Sequence, residues 1–262
     1  MRSALHAEWT KIRTVAGPLW LLLGAIAATV ALSAGATSVV TSVVTCTSAG
    51  CGGDTTRLSL IGVMLGQAPV AVLAVLIISG EYGSGMIRTT LTAVPRRITV
   101  LAAKTVTLTG IVSAAGTVAV LGSLLTGWLI LPGHGFTAAR GHSALSLADG
   151  PTLRAAVGSV LYLILIALLS LGVATAVRDS AAGIGIVLGL LYLFPILSQT
   201  IGGPHWQRLL RQIGPMNAGL TVQATTDLHD LPIGPWAGLG VTAGWAAAAL
   251  LAGGLLLRTG DA

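Results

Sequence analysis

Charge is scarce in this sequence. Only 8% of its 262 residues are Asp, Glu, Lys or Arg and 54% are hydrophobic, whereas a soluble domain is about 25% charged. An ordinary water-soluble enzyme is excluded on that ground. No G-x-x-x-x-G-K-[ST] stretch occurs, so the chain lacks a loop to cradle nucleotide phosphates and is not itself an ATPase. There is no G-x-S-x-G elbow and no H-E-x-x-H, the arrangements that would activate a serine or hold a catalytic zinc. The five histidines (His6, His134, His142, His205 and His229) all fall outside the long apolar runs, which argues against a metal centre or His-based chemistry within them. The middles of those runs also lack Asp, Glu, Lys and Arg. A charge at a membrane helix centre costs about 2.5–3.5 kcal/mol on insertion scales, and proteins that carry one use it for ion or proton relays. This chain has no such relay. The net charge of +6 does not point to nucleic acid either, because the basic residues flank apolar runs and form no stripe.

What the chain has instead is apolar length. A helix needs about 20 residues to cross a hydrocarbon core. Six charge-free windows of that size are present, at about 18–40, 58–79, 105–131, 155–177, 181–201 and 235–257. The first exceeds the roughly 7–15 residues of a signal-peptide core and reads as a retained span. The expected fold is an all-α polytopic membrane protein, a single transmembrane domain over 1–262 without a repeat or a soluble second domain. In 1–14, Leu5, Trp9 and Ile12 make a narrow apolar stripe edged by Arg2, His6, Lys11 and Arg13, the pattern of an interfacial helix. In 204–213, Trp206, Leu209, Leu210 and Ile213 recur at helical spacing opposite Gln207, Arg208, Arg211 and Gln212, with Pro204 to open and Gly214-Pro215 to close. That predicts a short external amphipathic helix before the last span.

Basic residues set the orientation. With both termini cytoplasmic, the inner segments hold Arg2, Lys11, Arg13, Arg88, Arg96, Arg97, Lys104, Arg178 and Arg258. The outer ones hold Arg57, Arg140, Arg154, Arg208 and Arg211. The positive-inside rule selects that arrangement, in a cytoplasmic cell membrane. Cys46 and Cys51 then fall outside, where a local disulfide could persist, although two free thiols fit the spacing equally well. Thr105, Thr109, Ser113 and Thr117, with Gly116 beside them, predict close helix packing in the third span.

The connection at 80–104, GEYGSGMIRTTLTAVPRRITVLAAK, is the most structured of the polar stretches. Gly80, Gly83 and Gly85 disfavour continuation of the incoming helix at about 1 kcal/mol per position. A short helix over Met86, Ile87, Leu91 and Val94 is expected to end before Pro95, with Arg96 and Arg97 at the level of lipid phosphates. The run GEYGSGMIRTTLTAVPRR followed by AAK resembles the first cytoplasmic loop of type-2 ABC exporter permeases. HAEWTKIRTVAGPLWLL, at 6–22, resembles the amino-terminal segment of the same family.

That resemblance implies a permease subunit that moves a hydrophobic or amphipathic substrate with ATP hydrolysed elsewhere. The partners implied are two copies of a separate P-loop ATPase, a second permease protomer and the bilayer, with no nucleic acid. No catalytic residue, cofactor or metal belongs to this chain in that picture. The loop would carry a coupling helix docked on the ATPase through Glu81, Tyr82, Gly85, Met86, Ile87 and Arg88. Spans two and five would meet those of the second protomer around the substrate path, making Gln67, Pro69, Phe194, Pro195 and Gln199 its candidate lining. The same residues also suit plain helix bending and packing, since a proline frees a carbonyl one turn back. The other class compatible with the sequence is a non-transporting membrane scaffold or immunity protein, which would have no dependence on an ATPase.

Overall fold

A computed structural model describes residues 16–43, 54–83, 97–134 and 145–259. The described chain is mostly helical, with no strand among the described residues, and six of its helices are long and apolar enough to cross a membrane. They are α1 (Ala16–Val43), α3 (Val63–Gly83), α4 (Arg97–Ile130), α5 (Gly150–Val177), α6 (Ser180–Thr200) and α9 (Pro235–Thr259). Three short helices complete the set: α2 (Thr55–Ser59), α7 (Pro204–Ile213) and α8 (Pro215–Gly219). In hydrocarbon every backbone N–H and C=O must be paired within the segment, so long apolar runs have little choice but to be helical.

Local chemistry sets the ends. Asp54 caps α2 by accepting from the Arg57 amide at 3.0 Å. Arg178 closes α5 in the left-handed region at φ 62°, returning its amide to the Ala174 carbonyl at 2.9 Å. Asp179 then caps α6, accepting from the Ala182 amide at 2.8 Å. These two residues turn the chain between two spans without a loop.

Two boundaries differ from the sequence expectation. Helix α3 runs through Gly80 to Gly83, and α4 begins at Arg97 rather than near residue 105. The glycine penalty of about 1 kcal/mol per position is small beside the cost of leaving ladder bonds unmade at the edge of an apolar medium. Lys104, expected in the connection, is therefore inside α4 and 1% exposed. Pro69 and Pro195 do not end their helices, both of which continue past them.

Helix α5 is the centre of the bundle, packed on α3, α4, α6 and α9. Tyr162, Ile166, Leu171 and Ala174 along it are fully buried. Its closest neighbour is α9, and the reason is the pair Gly172 and Gly253. A Cβ on Gly172 would stand 2.5 Å from the Ala249 carbonyl carbon and the Leu250 nitrogen, and one on Gly253 would stand 2.6 Å from the Gly172 oxygen. Small residues permit such backbone approach between membrane helices. The third span, α4, also packs closely, with a Cβ on Gly122 standing 2.8 Å from the Val30 side chain of α1. Thr105 and Thr117 return their hydroxyls to their own helix, on Leu101 at 2.9 Å and Ser113 at 2.7 Å, and Gly116 beside them faces Leu163 of α5.

After α7 the chain folds back into the bundle. Pro215, Met216, Ala218 and Gly219 of α8, and Thr221, Val222 and Gln223 of the 3-10 turn that follows, are all buried. A Cβ on Gly219 would lie 2.5 Å from the Tyr162 ring, so this segment reaches the core tyrosine of α5 before it turns out again.

Candidate functional site

Two sets of helix ends carry the polar chemistry. At one end, the flanks of the connection between α3 and α4 are fastened to their neighbours. The Ser180 hydroxyl donates to the Ser79 hydroxyl at 2.8 Å, joining the starts and stops of α6 and α3. The Lys104 ammonium donates to the Ile77 carbonyl at 3.4 Å, joining α4 to α3. The Arg178 guanidinium donates to the Leu256 carbonyl at 2.9 Å and holds the α5–α6 turn against α9. Tyr82 is half-buried and packs on the hydrophobic core. Glu81 belongs to the last turn of α3. Gly85, Met86, Ile87 and Arg88 lie outside the described residues, as do the segment 1–14 and both Cys46 and Cys51.

At the opposite end, Asp54 gathers the loop that follows the folded-back segment. Its carboxylate accepts from the Thr225 hydroxyl at 2.7 Å, from the Thr225 amide, and from the Thr226 amide at 3.2 Å. The Arg154 guanidinium donates to the Ala224 carbonyl at 2.6 Å, and the Gln223 amide donates to the Ser159 hydroxyl at 3.1 Å. Thr242 on α9 donates to the Pro215 carbonyl at 3.1 Å. Residues 215–226 are thus pinned at both ends to three different helices. Sequence reasoning missed this clasp because its partners are distant in the chain and individually unremarkable.

Between the two ends sits a buried polar node. Gln67 is 0% exposed. Its amide nitrogen donates to the Met64 carbonyl at 2.9 Å, and its amide oxygen accepts from the Tyr162 hydroxyl. Tyr192, on α6, donates to that same Met64 carbonyl at 3.0 Å. One glutamine and two tyrosines therefore tie α3, α5 and α6 together. Neither tyrosine is singled out by the sequence, since each lies within an apolar run with no motif around it.

The candidate path residues do not share one surface within this chain. Gln67 points into the seam between α3 and α5, and Pro69, two residues on, is half-buried. Phe194 packs edge-on against Trp245 of α9, with centroids 6.3 Å apart. Pro195 is half-buried beside it, and Gln199 is exposed near the end of α6.

No protein-family model matches the chain, and no characterised protein is significantly similar to it.

Proposed function

We propose that this protein is the membrane-spanning permease subunit of an ABC exporter, moving a hydrophobic or amphipathic substrate with ATP hydrolysed by two copies of a separate P-loop ATPase. One observation carries most weight: the connection between α3 and α4 has both flanks fastened, through Ser79–Ser180 and Lys104–Ile77, to each other and to α6. A push on that connection would move three spans as a unit. The spans themselves hold no central charge with which to draw on an ion gradient, so an outside source of force suits the chain.

In this reading both termini and the 84–96 connection face the cytoplasm, and the connection carries the coupling helix. Glu81, Tyr82, Gly85, Met86, Ile87 and Arg88 meet the ATPase, with Met86 and Ile87 in an apolar cleft and the charges at its rim. The helix Pro204–Ile213 lies on the outer face, and a second permease protomer completes the substrate path along α3 and α6. The protein resides in the cell membrane and has no chemistry of its own.

The test is co-purification with a P-loop ATPase encoded beside it, followed by substrate-stimulated hydrolysis in vesicles. Glu81→Lys or Arg88→Glu lowers that stimulation at least about tenfold, equivalent to about 1.4 kcal/mol of coupling, with membrane insertion unchanged. Stimulation that survives both reversals, or a chain that retains no ATPase, returns the protein to the scaffold class.

A further inference from the structure

Helix α7 (Pro204–Ile213) is placed with unusual definition for a surface helix. It starts at Pro204, just after Gly203, whose φ of 114° is a conformation that favours glycine and lets the chain turn sharply from the end of α6 at Thr200. Its far end is deeper. A Cβ on Gly214 would stand 2.8 Å from Cβ of Phe194, and Phe194 lies about 9 Å back along α6 from Thr200, at about 1.5 Å per residue. The Ile213 carbonyl accepts from the Trp245 indole at 2.9 Å, and the Gln212 amide donates to the Pro232 carbonyl at 2.6 Å. The helix is therefore inclined, from the end of a span to about 9 Å inside it. Interfacial helices bury their apolar side about 5–10 Å into the boundary between headgroups and acyl chains.

The two sides of α7 are unequally covered. Leu209 and Leu210 are half-buried against the protein. Trp206 and Ile213, on the same apolar side, remain 58% and 43% exposed. Arg208 and Arg211 are exposed on the other side, three residues apart and so neighbours on the helix surface. No carboxylate occurs between Pro204 and Ile213.

We propose that α7 is a docking surface for anionic phospholipid: Arg208 and Arg211 take the headgroup while Trp206 and Ile213 sit among the acyl chains. Arginines at this depth keep their charge out of hydrocarbon by snorkelling to the phosphates. A zwitterionic headgroup brings its own cation to that site. Two guanidiniums with no acid on their own helix therefore favour a headgroup whose net charge is negative. The proposal rests on the chain being embedded in a bilayer and not on the exporter reading.

The experiment uses the full chain purified in mixed micelles of phosphatidylcholine and phosphatidylglycerol, with bound lipid and oligomeric state read together by native mass spectrometry. The wild-type protein enriches phosphatidylglycerol, and each of Arg208→Gln and Arg211→Gln lowers that enrichment about fivefold. Arg57→Gln, at an exposed arginine of the separate helix α2, leaves it unchanged, and high salt erodes it in the wild type. Trp206→Phe removes a fluorescence component that brominated phosphatidylglycerol quenches, an effect loss of charge alone would not produce. Enrichment that persists in the double Gln variant, or that falls equally in Arg57→Gln, overturns the proposal. A change of oligomeric state without a change in bound lipid also overturns it and makes α7 a contact between copies. Should the double Gln variant fold poorly, Arg208→Lys with Arg211→Lys retains the enrichment if charge is the cause and the salt dependence of the wild type carries the decision.

Discussion

Helices α5 and α6 follow one another through a two-residue turn, and both are nearly uninterrupted apolar runs. Over its most apolar stretch 56% of the residues of α5 are buried inside the chain, against 17% of those of α6. Apolarity fits a helix for lipid and for protein alike, because lipid tails are as apolar as Leu. What separates the two is the distribution of small and hydrogen-bonding residues. Gly158 and Gly172 of α5 each have a neighbour where a Cβ would be, Val222 and the backbone of α9 respectively, and Tyr162 has a buried partner in Gln67. Gly185 and Gly189 of α6 have open space around them. Membrane-helix neighbours are set by which side chains are missing and which are paired, rather than by how apolar the helix is.

The most severe way to break that contrast is at the α5–α9 seam. Gly172→Ala places a methyl 2.5 Å from backbone atoms of Ala249 and Leu250, which have no rotamer by which to yield. The two helices must separate, at a cost of about 3 kcal/mol, the upper part of the range for overpacked cores. Thermal unfolding in detergent reads this as a large fall in Tm, and a variant as stable as the wild type would mean that the seam is looser than its geometry.

Next is Asp54, which receives three hydrogen bonds from residues 225 and 226 in addition to its cap on α2. Asp54→Ala removes all of them and costs about 2 kcal/mol, since bonds to a charged group contribute about 1.5–3 kcal/mol and a cap alone about 1. Hydrogen exchange separates this from a general loss of stability: the amides of Thr225 and Thr226 lose protection while those in the middle of α5 keep it. Equal loss across the chain would show that the folded-back segment and the bundle are one cooperative unit.

How far these contacts could be read from the residues depends on their range. The six spans follow from local composition, and each expected window overlaps a long helix. Their ends shifted where a glycine or a basic residue suggested a loop, at Gly80 and Lys104, because continuation of the backbone ladder outweighs a local preference. The node at Gln67 was visible only as one polar residue within an apolar window. Its partners Tyr162 and Tyr192 come from other helices, and no period along the chain brings 67, 162 and 192 together. The sealed position of Gln67 likewise depends on α5 lying against α3, a pairing that apolar windows alone do not specify.

A smaller effect is expected at that node. Tyr162→Phe leaves the Gln67 amide oxygen buried without its donor, and hydrogen bonds between membrane helices are each worth about 1 kcal/mol. Gln67→Leu in the same chain removes the orphaned acceptor and recovers part of the loss, so the two substitutions are not additive. A transport assay on Gln67→Leu adds a second reading. Under the proposed exporter function, unchanged substrate-stimulated hydrolysis assigns Gln67 to packing, whereas altered substrate preference at equal stability assigns it to the proposed path.

The smallest effect belongs to α6. Gly185→Ala and Gly189→Ala each add a methyl where nothing lies within 4 Å, and alanine is favoured over glycine inside a helix by about 1 kcal/mol in water. In a bilayer the backbone gain is partly realised already, because an unfolded segment there stays helical. Each substitution is therefore neutral or stabilising by about a few tenths of a kcal/mol in the isolated chain, opposite in sign to Gly172→Ala on the preceding helix α5. Measured on the monomer in detergent, a fall in Tm at either position would contradict the open space around them. Measured in vesicles at high protein density, a fall confined to the more crowded sample would show that the open side of α6 is covered by another molecule, and the contrast with α5 would then be one between neighbours within the chain and neighbours outside it.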